Sequence, residues 1–198
     1  VLCFLPASFC IVHKDNGYFY FTFPQTQKYE DVMGDKFPLP MYGVGINKKI
    51  EFKYAGSVIK LRVWASKKDT ELASSEGNGT VINSCEVVVD GGFSNKAFTY
   101  IDKGGKWAGL NSASNVGHFK LEMEKPIPLS NDPNNPTELK IVLPLAGTTT
   151  FKNLKFSINC TKNGKHAGCE LVKKSDLTIE CGKIVTFPVT ELTLDYTR

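Results

Sequence analysis

The stretch from Asp102 to His118 (DKGGKWAGLNSASNVGH) holds the densest set of side chains suited to binding chemistry. Gly104-Gly105 lets the backbone turn freely. Trp107 stands among Asp102, Lys106, Asn111 and Asn115, with Ser112 and Ser114 between them. An indole face stacks on the C–H face of a sugar, while amides and carboxylates bond its hydroxyls. In a shallow pocket a few placed polar groups set the orientation. These residues predict a long carbohydrate-binding loop over 102–115. Trp107 is its main contact, and Asp102, Lys106, Asn111 and Asn115 supply hydrogen bonds. The competing structural reading makes the glycines and asparagines turn residues and Trp107 a plug beneath the loop. Trp64, the other tryptophan, lies in an apolar run and reads as core.

Catalytic constellations are poor. There is no G-x-S-x-G nucleophile elbow. Glu122 and Glu124 share one strand face and would act as acid and base only in a cleft that raised one pKa. A solvated face is the simpler reading. The six cysteines contain no C-x-x-C, and His13, His118 and His166 show no metal-ligand spacing. The expectation is a non-enzyme with no cofactor and no metal. Asn78-Gly79-Thr80 and Asn159-Cys160-Thr161 match the N-glycosylation acceptor pattern.

The elements that must carry these residues are strands. In 153–160, Leu154, Phe156, Ile158 and Cys160 alternate with Asn153, Lys155, Ser157 and Asn159. A period of two belongs to a half-buried strand. Asn163-Gly164 follows as a tight hairpin turn, since both residues tolerate positive φ. Cys160 and Cys169 lie nearly equidistant from that turn, which predicts a disulfide between them. Further strand patterns cover 18–23, 41–46, 50–54, 58–65, 80–90, 97–101, 116–123, 139–143, 177–181 and 186–197. The polar or Pro-rich runs 24–40, 66–79, 102–115 and 124–137 read as loops. A helical turn is expected at most over Asp69 to Ser75. Many short strands punctuated by Gly, Pro and Asn predict an all-β fold, a single elaborated sandwich of jelly-roll or immunoglobulin-like type spanning 1–198.

Composition narrows the partners. The chain has 198 residues, 41% hydrophobic and 22% charged, with a net charge of +4. That balance suits a folded globule. Nearly all the positive charge is lysine in scattered pairs, and Arg62 and Arg198 are the only arginines. Nucleic-acid binders instead cluster their basic residues, so nucleic acid is not an expected partner. No stretch reaches the ~20 apolar residues of a membrane-spanning helix. Val1 to Val12 is apolar, like the end of a secretory signal, and also reads as a first core strand. An even cysteine count among strands favours disulfides and an oxidising compartment. The pairing of Cys3, Cys10, Cys85 and Cys181 stays open.

The cysteine-bearing apolar start, the Lys- and Asn-rich β body, Val116 to Met123 (VGHFKLEM) and the Pro-rich spacer before Leu139 to Leu143 (LKIVL) form a layout. It resembles the receptor-binding lectin domains of chaperone–usher fimbrial tip adhesins. That resemblance implies an extracellular adhesin domain at a fimbrial tip. It would bind a host glycan or glycoprotein, and a pilin domain or fibre subunits would lie outside this chain. The alternative is a secreted or cell-surface protein–protein interaction domain without glycan specificity. That would use an exposed aromatic strand, such as Tyr18 to Phe23, or a sheet edge.

Overall fold

A computed structural model of the chain describes residues 2–5, 11–15, 18–33, 41–46, 49–54, 56–66, 79–93, 96–101, 107–111, 116–145 and 148–196. The described residues are overwhelmingly strand, as the period-two patterns predict. In chain order the first strands are β1 (Leu2–Leu5), β2 (Ile11–Asp15), β3 (Tyr18–Thr22) and β4 (Thr26–Lys28). One short helix, α1 (Tyr29–Met33), leads to β5 (Met41–Ile46), β6 (Lys49–Tyr54), β7 (Gly56–Trp64) and β8 (Val81–Phe93). Then come β9 (Lys96–Ile101), β10 (Trp107–Asn111), β11 (Val116–Pro128), β12 (Thr137–Pro144) and β13 (Thr149–Phe151). The last are β14 (Leu154–Lys162), β15 (Lys165–Lys173), β16 (Leu177–Ile179), β17 (Ile184–Glu191) and β18 (Asp195–Tyr196).

These strands build several sheets. The largest runs β18-β15-β14-β8-β11-β4, and a three-stranded sheet runs β12-β7-β17. Smaller sheets run β1-β5-β6, β10-β9-β3-β2 and β13-β16. Antiparallel pairing dominates, with two parallel exceptions, β4 on β11 and β17 on β7.

The β14–β15 hairpin forms as its sequence dictates. Leu154, Phe156, Ile158 and Cys160 are buried, while Lys155, Ser157 and Asn159 face away. Asn163 and Gly164 take φ of 51° and 74°, the left-handed pair that a two-residue hairpin turn requires. One hydrophobic core receives Leu61 and Val63 from β7, Leu139 and Ile141 from β12, and Val87, Phe119, Phe156 and Ile158 from the six-stranded sheet. The Phe156 and Phe187 rings meet edge-on at 5.2 Å and 80°, joining β14 to β17. The quadrupoles of two aromatic rings favour that angle.

Several expectations need correction. Gly91-Gly92 does not end β8. The strand runs on to Phe93, and the register with β11 slips between Val116 and His118. Glycines suit such an irregularity because they carry no side chain to place. β11 likewise continues through Pro126 to Pro128, with a second slip between Glu122 and Ile127. A bulge tolerates the proline, whose missing N–H would break a regular ladder. The 24–40 run, read as irregular, holds β4 and α1, both too short to show a period. The 102–115 run, read as loop, contains β10, paired antiparallel with β9 from Trp107↔Ile101 to Asn111↔Ala97. Trp64 is half-buried rather than core. Leu61, Val63 and Ala65 take the inward positions of β7, so alternation turns Trp64 the other way. The proposed helical turn at Asp69 to Ser75 lies outside the described residues.

One buried polar side chain links the two principal sheets. Gln27 on β4 is 2% exposed. Its Nε2 donates to the Val142 carbonyl at 2.7 Å, and the Val142 N–H donates to its Oε1 at 2.9 Å. The amide acts as a piece of backbone added to the edge of β12. Gln27→Leu would leave a buried N–H and a buried C=O without partners, a loss of about 2–6 kcal/mol at 1–3 for each group. Urea unfolding measures it, and an unchanged midpoint would show that the bridge does not support the fold.

Candidate functional site

Pairing with β14 leaves the other edge of β15 to be covered, and the chain covers only part of it. Among the described residues β18 pairs at Ala167↔Tyr196 and Gly168↔Asp195. The alternation of Leu192 and Leu194 with Glu191, Thr193 and Asp195 explains how the chain reaches that edge. The two leucines are buried, and the Leu192 N–H donates to the Trp64 carbonyl at 2.7 Å. The segment thus crosses from the β17 side to the β15 side with its apolar residues inward. Beyond it, the β15 edge borders open space.

That space is a groove with two parts. The first, about 620 Å³, is bounded by Ser157 and Asn159 of β14, Glu170 of β15, and Glu191, Thr193 and Asp195 of the crossing segment. Gly168 sits in its wall, and a Cβ there would touch nothing within 4 Å. The Asn159 amide donates to Ser84 Oγ at 3.1 Å, which leaves its carbonyl oxygen available. Glu170 forms an ion pair with Lys155. The Glu170 side chain is largely exposed and Lys155 partly so, so the pair adds at most about 1 kcal/mol and yields to a competing ligand. The second part, about 250 Å³, is lined by Leu61, Val63, Val172, Phe187 and Pro188. Glu170 and Leu171 line both parts, so the groove is continuous, polar at one end and aromatic at the other.

Three carboxylates border the polar end, yet among the described residues no three His, Cys, Asp or Glu side chains converge as metal ligands. His118 lies 3.3 Å from Glu86 on the six-stranded sheet, and His166 stands opposite Thr161 in the hairpin register. His13 is on β2, in a different sheet.

Of the expected sugar site, the described residues hold Trp107 and Asn111, at opposite ends of β10. Asp102, Lys106 and Asn115 lie outside the described residues, as does Asn78 of the first glycosylation tripeptide. Asn159 of the second tripeptide borders the groove. The groove residues Ser157, Asn159, Glu191, Thr193 and Asp195 show in sequence only as the polar half of two amphipathic strands. Nothing local says that the two halves meet. No protein-family model matches the chain, and a search of curated proteins finds no match to it.

The expected Cys160–Cys169 disulfide is not formed, and both residues are free thiols, as are Cys85 and Cys181. The two-residue turn pairs Cys160 with Ala167 and Ile158 with Cys169. The two cysteines are therefore diagonal neighbours, about 7–8 Å apart at Cα in a regular ladder, beyond the span of an unstrained bond. Near-symmetry about the turn missed by two residues. Burial pushes the Cys160 thiol up to about 12, with the neighbouring Cys169 adding to it. Burial raises Cys85 further, and it raises Cys169 against the partial relief of the Thr193 backbone N–H. Burial also lifts Cys181 to about 11, and its S–H points at the Tyr54 and Leu145 carbonyls.

A thiol whose folded pKa is raised adds stability that is whole below its ordinary value of 9.0 and is lost as pH climbs toward the folded value of about 12. The unfolding midpoint should fall across that window, and less steeply in Cys160→Ala. Alkylation of the folded protein just below pH 9.0 should spare Cys85 and Cys160, while urea exposes both. A Cys160 adduct on folded protein, or a Cys160–Cys169 linked peptide, would contradict this account.

Proposed function

We infer that this chain is a binding domain that takes a neutral oligosaccharide in the groove beside β15. The observation that carries the reading is the groove's division into two chemistries. Its polar end offers carboxylates at Glu170, Glu191 and Asp195, hydroxyls at Ser157 and Thr193, and the Asn159 amide. These side chains suit ligands that present many hydroxyls, and the carboxylates accept the strongest of the resulting bonds. The adjoining end offers Phe187 and Pro188 as an apolar wall for a sugar's C–H face. The polar end sets three carboxylates against Lys155 alone, while Arg62 and Lys173 line the other end, so a neutral sugar suits the polar end best.

The domain is a single β-sandwich in this reading, with the six-stranded and β12-β7-β17 sheets as its layers. The adhesin resemblance of the sequence agrees with it and places the domain at a cell surface, facing a host glycan or glycoprotein. Binding, rather than catalysis, is the proposed activity.

The free edge of β15 supports a second reading. Alternation from the hairpin turn directs the N–H and C=O of Glu170 and Val172 away from β14. An extended peptide adding to this edge would bond those groups and lay side chains into the apolar end.

A neutral-glycan array followed by calorimetry separates the readings. Asp195→Asn and Glu170→Gln should each weaken sugar binding by roughly 10- to 100-fold, the worth of a bond to a charged group, without moving the unfolding midpoint. Val172→Pro removes an edge N–H. It should abolish peptide addition, whereas Asp195→Asn should leave peptide addition intact. Loss of sugar binding in Trp107→Ala alone would move the site to the β10 end. Folded protein that binds no neutral glycan would sink the first reading.

A further inference from the structure

The edge of β6 is a second open sheet edge, and it carries an apolar stripe. Ile50, Phe52 and Tyr54 are 44%, 43% and 45% exposed. They share one face of the strand, with Lys49 and Glu51 on the other. The stripe is held in place. Ile50 and Phe52 lean over Gly43, where a Cβ would come within 2.7 Å of Ile50 Cγ2 and 3.0 Å of Phe52 Cδ1. The Tyr54 ring packs on Gly182, whose added Cβ would meet it at 2.7 Å.

The hydrogen-bonding phase of the edge follows from the turn. Ile46 pairs with Lys49 across a two-residue connection. Such a closing pair exchanges its backbone bonds within the hairpin, so Lys49 and Glu51 bond inward to β5, while Ile50, Phe52 and Tyr54 direct N–H and C=O outward. The Cys181 thiol bonded to the Tyr54 carbonyl confirms that phase. It also shows that the chain around Cys181 covers the edge from Tyr54 onward, and among the described residues no strand pairs with Lys49 to Lys53 on that side.

We propose that two copies of this chain pair antiparallel through this open edge, with Ile50 on the two-fold axis. The alternatives fail on charge or space. An axis at Glu51 sets Glu51 against Glu51 and Lys49 against Lys53. An axis at Phe52 puts Ile50 of one copy where Cys181 of the other already sits. With the axis at Ile50, Lys49 of each copy stands opposite Glu51 of its partner, giving two ion pairs on one face. On the other face Ile50 meets its own counterpart, with both Phe52 rings diagonal to the pair. An isologous contact of this kind is self-complementary and closes as a dimer. Its area is well below the ~1,200 Å² of a standard stable interface, so the dimer is weak and forms at high concentration. It leaves the β15 groove unused and does not depend on what that groove binds.

Sedimentation of the whole chain over a concentration series up to about 1 mM, the range of such weak contacts, tests it. The average mass should rise from 21.9 kDa toward twice that value. Glu51→Lys and Lys49→Glu should each raise the dissociation constant roughly tenfold, since each sets two like charges opposite one another. The double variant should restore the original constant, whereas Glu51→Lys with Lys53→Glu should not. Lys49 and Glu51 are both exposed, and circular dichroism checks that every variant folds. A chain that stays monomeric throughout, a dimer indifferent to Glu51→Lys, or a failed restoration by the double variant overturns the proposal.

Discussion

Every sheet edge presents N–H and C=O groups that must find partners or water. This requirement organises the molecule. The outer edge of β12 is met by the Gln27 amide, which spans to the six-stranded sheet and closes one flank of the core. On the opposite flank the chain crosses at Leu192 and Leu194, burying both leucines. Where these closures stop, open surface begins. The groove lies past the end of the short β18 pairing, and the β6 stripe lies short of the Cys181 contact.

The two open places differ in chemistry. Along β15, the polar ends of Glu170, Glu191 and Asp195 border the space, and Ala167, Leu192 and Leu194 are turned into the core. Along β6 the apolar residues themselves remain about half exposed, with Ile50 and Phe52 leaning over Gly43 and Tyr54 over Gly182. A hydroxyl-rich ligand suits the first. A second apolar strand with matching charge suits the second. If both operate, each dimer carries two grooves, and a surface bearing many copies of a ligand would hold it by avidity.

The thiols illustrate how narrowly local geometry decides chemistry. Cys85, Cys160 and Cys169 lie on neighbouring strands, on the side where Ile158 stands between Cys85 and Cys169 in the register. Two residues of register separate Cys160 and Cys169 from a directly opposed pair, and that offset leaves two protonated thiols instead of a bond.

By itself the sequence determined the all-β class, the β14–β15 turn, and the face taken by each residue of β14 and of the crossing segment. The reason is that the pleat repeats every two residues and Asn163-Gly164 admits positive φ, both properties of a few neighbouring residues. It failed wherever a decision depended on a distant partner. Pro126 and Gly91-Gly92 looked like strand ends because local propensity cannot anticipate a bulge opposite another strand. Trp64 looked like core because hydrophobicity does not say which face is inward until Leu61 and Val63 have claimed it. Ser157 and Asp195 gave no hint of sharing a groove. Only tertiary structure decided that, since strand order is set by long-range pairing, and a period of two is the same whichever neighbour a strand acquires.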